Sequence, residues 1–217
     1  MGRFALSVRS SWLAMAFRSS ERSGTPAEWL VVGLGNPGAE YSGTRHNVGA
    51  EVVEVLAARC GAKLKFGKER AISGETRIGG VLVALAFPQT FMNLSGESVR
   101  MLVKRHGIGS PAQIIVVHDE LDIPSGHLKL KLGGGVAGHN GLKSIQSHVG
   151  SPDFCRVRIG IGRPPGTQQT ADYVLKRPAK AERVELDIAV QQAVDAVELI
   201  LANGIERAMN SVNTRPD

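Results

Sequence analysis

Cysteine is scarce in this chain of 217 residues, which contains Cys60, Cys155 and no other cysteine. The two residues form no C-x-x-C pair, so the sequence predicts neither a disulfide scaffold nor a zinc module. Such low cysteine usage is typical of proteins that work in a reducing compartment. Long apolar runs are missing too, since no segment approaches the roughly 18 apolar residues that a membrane-spanning helix needs.

Two common catalytic signatures are also absent. No serine lies in a G-x-S-x-G elbow, and both cysteines are remote from the glycine-rich loops, so a covalent nucleophile is not indicated. The six histidines show no H-x-x-x-H spacing, and we therefore predict that the protein binds no metal. The chemistry that remains is attack by a water molecule that a side chain activates.

A dinucleotide-binding motif is present only in part. Residues 33–38 (GLGNPG) match the pattern G-x-G-x-x-G and follow the apolar run WLVV. In a dinucleotide-binding fold the third glycine opens a helix, and an acidic residue follows the second strand. Here no helical apolar period begins before Val48, and Glu51 and Glu54 lie within the helical pattern itself. We therefore reject a nicotinamide cofactor and expect these glycines to turn the backbone and leave room for a substrate's main chain.

Apolar runs alternate with helical patterns after residue 28. Strands are predicted at 29–34, 80–86, 113–119, 127–132 and 155–162. Helices are predicted at 47–60 and 179–203, with a third that Ser95 caps and Gly107 ends. This alternation predicts an α/β fold over residues 29–217, a single domain with a mixed, mostly parallel, twisted sheet flanked by helices.

Residues 1–28 differ from the predicted domain in composition. They are rich in arginine and serine, and no acidic residue precedes Glu21. We expect a disordered N-terminal extension, either a transit-like segment or the product of a start codon upstream of Met15.

The net charge of +6 is concentrated in one part of the chain. Residues 121–163 contain six basic residues and two acidic ones. The basic residues are Lys129, Lys131, Lys143, Arg156, Arg158 and Arg163. Such clustering suits a polyanion, above all a nucleic acid, and a solvated charged face is the competing interpretation.

Polar or aromatic residues follow each of the first four predicted strands, in loops that contain glycine or proline. They are Asn36, Tyr41 and His46, then Phe91 and Asn93, then His118, Asp119 and Asp122, then His139, Asn140 and Lys143. Because ligands bind outside the carboxyl ends of strands in open α/β sheets, we expect these loops to form one site. An imidazole, a carboxylate and several carboxamides suit hydrolysis of an activated ester by water. Position favours His46 over His139 as the base, because His46 begins a helix after the long first loop.

Five stretches of the sequence together carry a family resemblance. They are VVGLGNPGAEYSGTRHNVG, PQTFMNLSG, HDELDIPSG, KLGGGVAGHNGLKS and FCRVRIGIGRP. In this order they resemble the bacterial-type peptidyl-tRNA hydrolases, from about Leu30 to the C-terminal helix. The resemblance implies a monomeric, cytoplasmic α/β enzyme that needs no metal or cofactor. Its partner is peptidyl-tRNA, and it cleaves the ester between the peptide and the 3′ ribose, which recycles peptidyl-tRNA released prematurely during translation.

The resemblance also implies roles for individual residues. His46 matches the general base, Asp119 the residue that holds this base, and Asn36 the residue that distinguishes N-blocked from free aminoacyl-tRNA. The positions expected to contact the tRNA end and the peptide are Tyr41, Phe91, Asn93 and Asn140, with Met92 beside them. The stretch expected to grip tRNA phosphates contains Lys129, Lys131, Lys143, Arg156 and Arg158.

Two departures from the family pattern leave an alternative open. Val136 and Ala137 stand where many members have a glycine-containing pair, and residues 1–28 form an extra N-terminal segment. If that segment is a transit peptide, the compartment is a mitochondrion or plastid. The alternative function is then a non-catalytic organellar RNA-binding or splicing factor on the same fold, with an exposed apolar patch for a partner protein.

Overall fold

A seven-stranded sheet forms the centre of the computed structural model, which describes residues 26–214. The strands are β1 (Trp29–Gly33), β2 (Lys65–Phe66), β3 (Ala71–Ile78), β4 (Val81–Pro88), β5 (Ile114–Glu120), β6 (Leu128–Leu132) and β7 (Cys155–Gly160). The helices are α1 (Val48–Arg59), α2 (Ser95–His106), α3 (Asn140–Val149), α4 (Thr170–Val174), α5 (Lys180–Asn203) and α6 (Ile205–Asn213). Within this described range, no helix is both long enough and apolar enough to cross a membrane.

The sheet is mixed, as predicted, with the strand order β2-β3-β4-β1-β5-β7-β6. The four central strands β4, β1, β5 and β7 run parallel, while β2, β3 and β6 pair in antiparallel fashion at the edges. Parallel pairings are therefore central, but they do not outnumber the antiparallel ones. The strands β2 and β3 were not predicted. Strand β3 forms a hairpin with β4 through Gly79 and Gly80, two glycines with positive φ.

Helices cover both faces of the sheet and bury two apolar clusters. In β1, Val31 faces the cluster that contains α1 and α5, whereas Leu30 and Val32 face the cluster that contains α2 and α3. Strands that are buried on both faces read as continuous apolar runs, which is why the central strands were recognisable in the sequence.

The long helices agree with the sequence prediction, but their ends differ in one respect. Gly107 ends α2 in the left-handed conformation, with φ of +64°, as predicted. Ser95 does not cap this helix; it is the first helical residue, and its hydroxyl donates to the carbonyl of Met92 at 2.8 Å. Helices α3, α4 and α6 were not predicted, because they are short and two of them lack a capping signal.

The glycines of the first loop serve close packing against α1. A Cβ atom on Gly33 would lie 2.1 Å from the carbonyl oxygen of Gly49, and one on Gly49 would lie 2.2 Å from a carbonyl oxygen of β5. A Cβ atom on Gly35 would lie 3.0 Å from the side chain of Asn47. The expectation that Gly33 and Gly35 make room for a substrate is therefore wrong, because the first turn of α1 occupies that space. Gly38, with φ of +110°, does supply a turn.

The predicted N-terminal extension lies mostly outside the described residues. Residues 1–25 are not described, and the boundary before Trp29 stays a prediction. The backbone N–H groups of Ala27 and Glu28 donate to carbonyls of His106 and Leu82 at 2.9 and 2.8 Å. These two residues are therefore attached to the folded part of the chain.

Candidate active site

The loops that follow β1, β4 and β5 surround a cavity of about 780 Å³. It is located at the carboxyl ends of the parallel strands, where open α/β sheets bind their ligands. The predicted catalytic and contact residues that line this cavity are Asn36, Tyr41, His46, Phe91, Asn93, Asp119 and Asn140. Met92 and His139 also line it, so the loops meet at one cavity, whereas His118, Asp122 and Lys143 from the same loops do not line it.

His46 and Asp119 form a buried hydrogen-bonded pair in this cavity. His46 lies in a 3-10 turn, Arg45–Asn47, that leads directly into α1, and Asp119 lies at the end of β5. His46 Nδ1 is 2.9 Å from Asp119 Oδ1 and 3.0 Å from Oδ2. The ionised carboxylate only accepts, so Nδ1 carries the proton and Nε2 keeps its lone pair.

A second imidazole, His139, binds the same carboxylate, with Nε2 3.1 Å from Asp119 Oδ1. His139 is also the N-cap of α3, where its Nδ1 accepts from the backbone N–H groups of Gly141 and Leu142 at 3.1 and 3.4 Å. Because Nδ1 must supply a lone pair to those donors, the proton is on Nε2 and points at Asp119. Both ring nitrogens of His139 are thus engaged, and His46 is the imidazole whose second nitrogen is left for a ligand.

The pKa values of the two partners of this pair are shifted in opposite directions. Burial alone would lower the pKa of His46, but the charge and hydrogen bond of Asp119 raise it, and the net pKa lies above the ordinary 6.5. Burial likewise disfavours the charged form of Asp119, yet His46 and His139 hold its pKa well below its usual range. Asp119 is therefore ionised at neutral pH.

His46, Asp119 and His139 also form the one cluster, within residues 26–214, whose donor atoms lie close enough together to surround a cation. All three donor atoms lie within 4.8 Å of one another. A metal would need the lone pair of His139 Nε2, but that nitrogen carries the proton, since Nδ1 already accepts two backbone N–H groups. The donor set therefore does not suit a metal ion, and we assign none.

Asn36 is fixed by three hydrogen bonds that sequence analysis did not anticipate. Its side-chain Oδ1 accepts from the backbone N–H of Met92 at 2.8 Å. Its backbone N–H and carbonyl pair with the carboxamide of Asn47, both at 2.9 Å. Since Oδ1 is occupied, the free end of the Asn36 side chain is the donor Nδ2. Asn47 is thus a supporting residue, and its position at the end of the TRHN stretch gave no sign of this role.

Part of the cavity wall comes from a segment that sequence analysis missed. The wall residues are Thr170, Ala171, Val174 and Leu175, in and just after α4. Arg45, next to His46, holds this segment in place. Its Nε and Nη2 donate to both carboxylate oxygens of Glu182 at 2.6 and 2.5 Å, and its Nη1 donates to the carbonyl of Lys176 at 3.1 Å. Its guanidinium also lies 4.1 Å from the centre of the Tyr173 ring.

The predicted phosphate-binding residues divide into exposed and buried members. Strands β6 and β7 place Lys129 opposite Arg158 and Lys131 opposite Arg156. Lys129, Lys131 and Lys143 are exposed, and in the part of the chain described here no ion pair involves them. Arg158 is partly exposed and donates to Glu120 at 3.1 Å. Arg156 is 2% exposed and therefore differs from the rest.

Comparison with known proteins adds a consistent set of similarities. The peptidyl-tRNA hydrolase family model matches residues 30–217. The chain is 52% identical over 182 residues to a peptidyl-tRNA hydrolase of Frankia alni, covering 84% of this chain and 92% of that protein. It is 50% identical over 185 residues to one from a Mycobacterium strain, covering 85% and 96%. The crystal structure of peptidyl-tRNA hydrolase from Acinetobacter baumannii superimposes with a TM-score of 0.81 at 42% identity, covering 90% of this chain and 98% of that one.

Proposed function

Because this chain belongs to the peptidyl-tRNA hydrolase family, we propose that it hydrolyses the ester between a peptide, or an N-blocked aminoacyl group, and the 3′ ribose of tRNA. The products are free tRNA and a peptide with a free carboxyl group. The observation that carries this proposal is the His46–Asp119 pair, 2.9 Å apart on the wall of a cavity large enough for both ends of the ester. An ester to a ribose hydroxyl is activated, so water with one general base suffices.

His46 acts as the general base in this proposal. Asp119 orients the ring and keeps the proton on Nδ1, so Nε2 removes a proton from a water molecule. The water oxygen forms a bond to the ester carbonyl carbon, and the bond to the ribose oxygen then breaks. The ribose oxygen leaves with a proton returned by His46, which restores the neutral imidazole. His139 is not a second base, because both of its ring nitrogens are already hydrogen-bonded.

The carboxamides of Asn36, Asn93 and Asn140 bind the reacting group and the peptide main chain in this proposal. Amide N–H groups can donate to the oxygen that becomes negative as water attacks, and amide oxygens can accept from peptide N–H groups. Asn140 is suited to the first task because it opens α3, where the helix end carries partial positive charge. Recognition of the main chain suits an enzyme whose substrates differ in peptide sequence.

Asn36 distinguishes substrates through its free donor. The carbonyl oxygen of an N-blocked aminoacyl group can accept from Asn36 Nδ2, because Oδ1 is occupied by Met92. A free aminoacyl-tRNA has an ammonium group instead, which offers only donors and would face another donor. Tyr41 and Phe91 lie at the same cavity, where their rings can pack against the tRNA end.

Phosphate binding is assigned to the exposed basic residues Lys129, Lys131 and Lys143, together with Arg158. Lys129 lies directly across from Arg158, and like charges in such a pair destabilise the unliganded protein, with the Glu120 carboxylate bound to Arg158 offsetting part of the repulsion. A bound phosphate removes that repulsion, so the arrangement suits an anionic ligand. Arg156 is left out of this group, because its burial keeps it from solvent.

Turnover of N-acetyl-aminoacyl-tRNA tests the proposal. We expect the wild-type protein to release tRNA from this substrate and to spare the free aminoacyl form. His46→Ala should lower kcat by at least about 100-fold, because general-base catalysis contributes that much or more. Binding of tRNA, measured on the same variant, should persist and shows that the variant is folded. Wild-type protein that binds tRNA without turnover would instead support the non-catalytic RNA-binding alternative.

A further inference from the structure

Arg156 belongs to the basic cluster by sequence, but its side chain is packed inside the protein. Its Nη1 donates to the carbonyl of Gly135 and its Nη2 to the carbonyl of Gly134, both at 2.6 Å. Its guanidinium carbon lies 4.8 Å from the centre of the Phe154 ring. Both terminal nitrogens and one face of the guanidinium are therefore already in contact with protein groups.

The two carbonyls belong to the glycine loop, residues 133–138, whose last two residues line the cavity of the active site. Gly133, Gly134 and Gly138 have positive φ, and Ala137 has φ of +46°. Glycine adopts many backbone conformations at similar cost, so the loop sequence alone does not fix one path. The two Arg156 bonds constrain that path, together with a bond from the backbone N–H of Gly133 to the carbonyl of Phe154 at 3.1 Å. The residue after the loop is His139.

We propose that Arg156 is a positioning residue for the active site. By holding the carbonyls of Gly134 and Gly135, it fixes the path of the glycine loop. The loop in turn delivers His139 to Asp119 and Asn140 to the cavity wall. The functional part of this inference rests on the proposed hydrolase activity.

The cost of burying this cation argues against a purely space-filling role. Burial, and secondarily the charge of Arg158, lower the pKa of Arg156, although Glu120 opposes this. An aliphatic side chain would fill the same space without that desolvation cost. The guanidinium adds two charge-assisted hydrogen bonds in a fixed fork, which match two successive carbonyls.

The same loop contacts the edge that we assign to phosphate binding. A Cβ atom on Gly134 would lie 2.7 Å from Lys131 Nζ, so the Lys131 side chain lies against this glycine. Lys131 is also the cross-strand neighbour of Arg156. The glycine loop therefore lies between Lys131, which we assign to phosphate binding, and the active-site residues His139 and Asn140. Arg156 holds the loop in this position.

Two substitutions at one position test the inference. Arg156→Met removes both donors while filling the space, and Arg156→Lys keeps the charge but not the fork. Both are assayed with N-acetyl-aminoacyl-tRNA, and hydrogen–deuterium exchange is followed in the peptide that covers the glycine loop. Arg156→Met should lower kcat about tenfold or more with KM changed less than about threefold, because a displaced site loses transition-state contacts. Loop exchange should accelerate, and Arg156→Lys should recover part of both losses.

Arg100→Met is the matched control, since Arg100 is exposed on α2. It should leave kcat, KM and loop exchange unchanged. A higher KM with a weaker salt dependence and normal kcat for Arg156→Met would make Arg156 a phosphate ligand and overturn the inference. Unchanged loop exchange would overturn it as well. If Arg156→Met does not fold, the same two readouts on Arg156→Lys decide the matter. Wild-type protein without turnover would refute the proposed function, while the exchange experiment would still test whether Arg156 holds the glycine loop in place.

Discussion

At the scale of single residues, three histidines close together in space have different chemistry. The ring centres of His46 and His139 are 5.0 Å apart, as are those of His118 and His139. Burial, and then repulsion from His139, lower the pKa of His118 to about 3, so it stays neutral. Hydrogen-bond partners distinguish the two rings that bind Asp119, since amides of α3 engage His139 whereas the second nitrogen of His46 is left for a ligand.

The residues that meet at this cavity were therefore predictable from the sequence, but the structural difference between the histidines was not. The polar residues after each strand were recognisable, because parallel strands bring their carboxyl ends together. The choice of His46 over His139 had only position in its favour. The deciding contact is between His139 Nδ1 and the N–H groups of α3, and α3 itself gave no clear signal in the sequence.

Asp119→Asn should change both the rate and its pH dependence. The base must be neutral, so kcat/KM rises with pH through the pKa of His46, which the carboxylate holds above 6.5. Without that charge, burial lowers the pKa of His46, and the acidic limb should shift to lower pH. Turnover should fall at least about 100-fold, because the ring loses its orientation and its fixed proton.

Asp122→Asn provides the control. Asp122 lies only three positions after Asp119, but it is exposed and paired with Arg163. This variant should leave both the turnover rate and the acidic limb of the pH–rate profile unchanged. An acidic limb that does not move in Asp119→Asn would mean that the titrating group is not His46 coupled to Asp119.

At the scale of elements, segments that are distant in sequence complete the site. Arg45 attaches the wall formed by α4 and the residues after it to the His46 turn. Tyr173 attaches the same wall to the residue after β7, because its hydroxyl donates to the carbonyl of Ile161 at 2.6 Å. Arg177 adds a bond from Nε to the carbonyl of Ser42 at 3.0 Å. The His46 turn and this wall are therefore joined into one unit by these contacts.

The largely buried Arg45–Glu182 ion pair of this unit should matter more than an exposed one. Arg45→Met leaves Glu182 without its partner, and the free energy of unfolding should fall by about 3 kcal/mol, as for other broken buried pairs. Arg59→Met is the matched comparison, because Arg59 also binds acidic residues of α5 but at the surface. It should cost less than about 1 kcal/mol. Urea unfolding of both variants measures the difference, and equal losses would show that burial does not strengthen the Arg45 contact.

The elements that sequence analysis predicted are those with strong local patterns. The strands β1, β4 and β5 are continuous apolar runs, and α1, α2 and α5 are long and periodic. The missed elements depend on partners elsewhere in the fold. The strand β3 contains Gly74, Glu75 and Arg77 and is held by its register with β4, and α4 is a five-residue helix with no apolar period.

At the scale of the whole molecule, the site and the basic edge occupy different parts of one sheet. The proposed reacting residues lie in the turn before α1 and at the end of β5, and β6 lies two strands away from β5, or roughly 10 Å. A substrate that reaches both the cavity and the basic edge at β6 must be long, with its negative charges in the part that lies against β6. An acylated tRNA has this form, with the ester at its end and phosphates behind it.

The double substitution Lys129→Ala with Lys131→Ala tests this arrangement. It should raise KM and leave kcat nearly unchanged, because the lysines hold phosphate and not the reacting ester. Each lost phosphate contact should also reduce the slope of log(kcat/KM) against log salt by about 0.7 to 0.9. The matched control is Lys63→Ala with Lys65→Ala, which has the same spacing and exposure beside and within β2 at the opposite edge. Equal effects of the two double variants would mean that net charge alone attracts the tRNA, whereas a change confined to Lys129 and Lys131 would assign the phosphate contacts to the β6 edge.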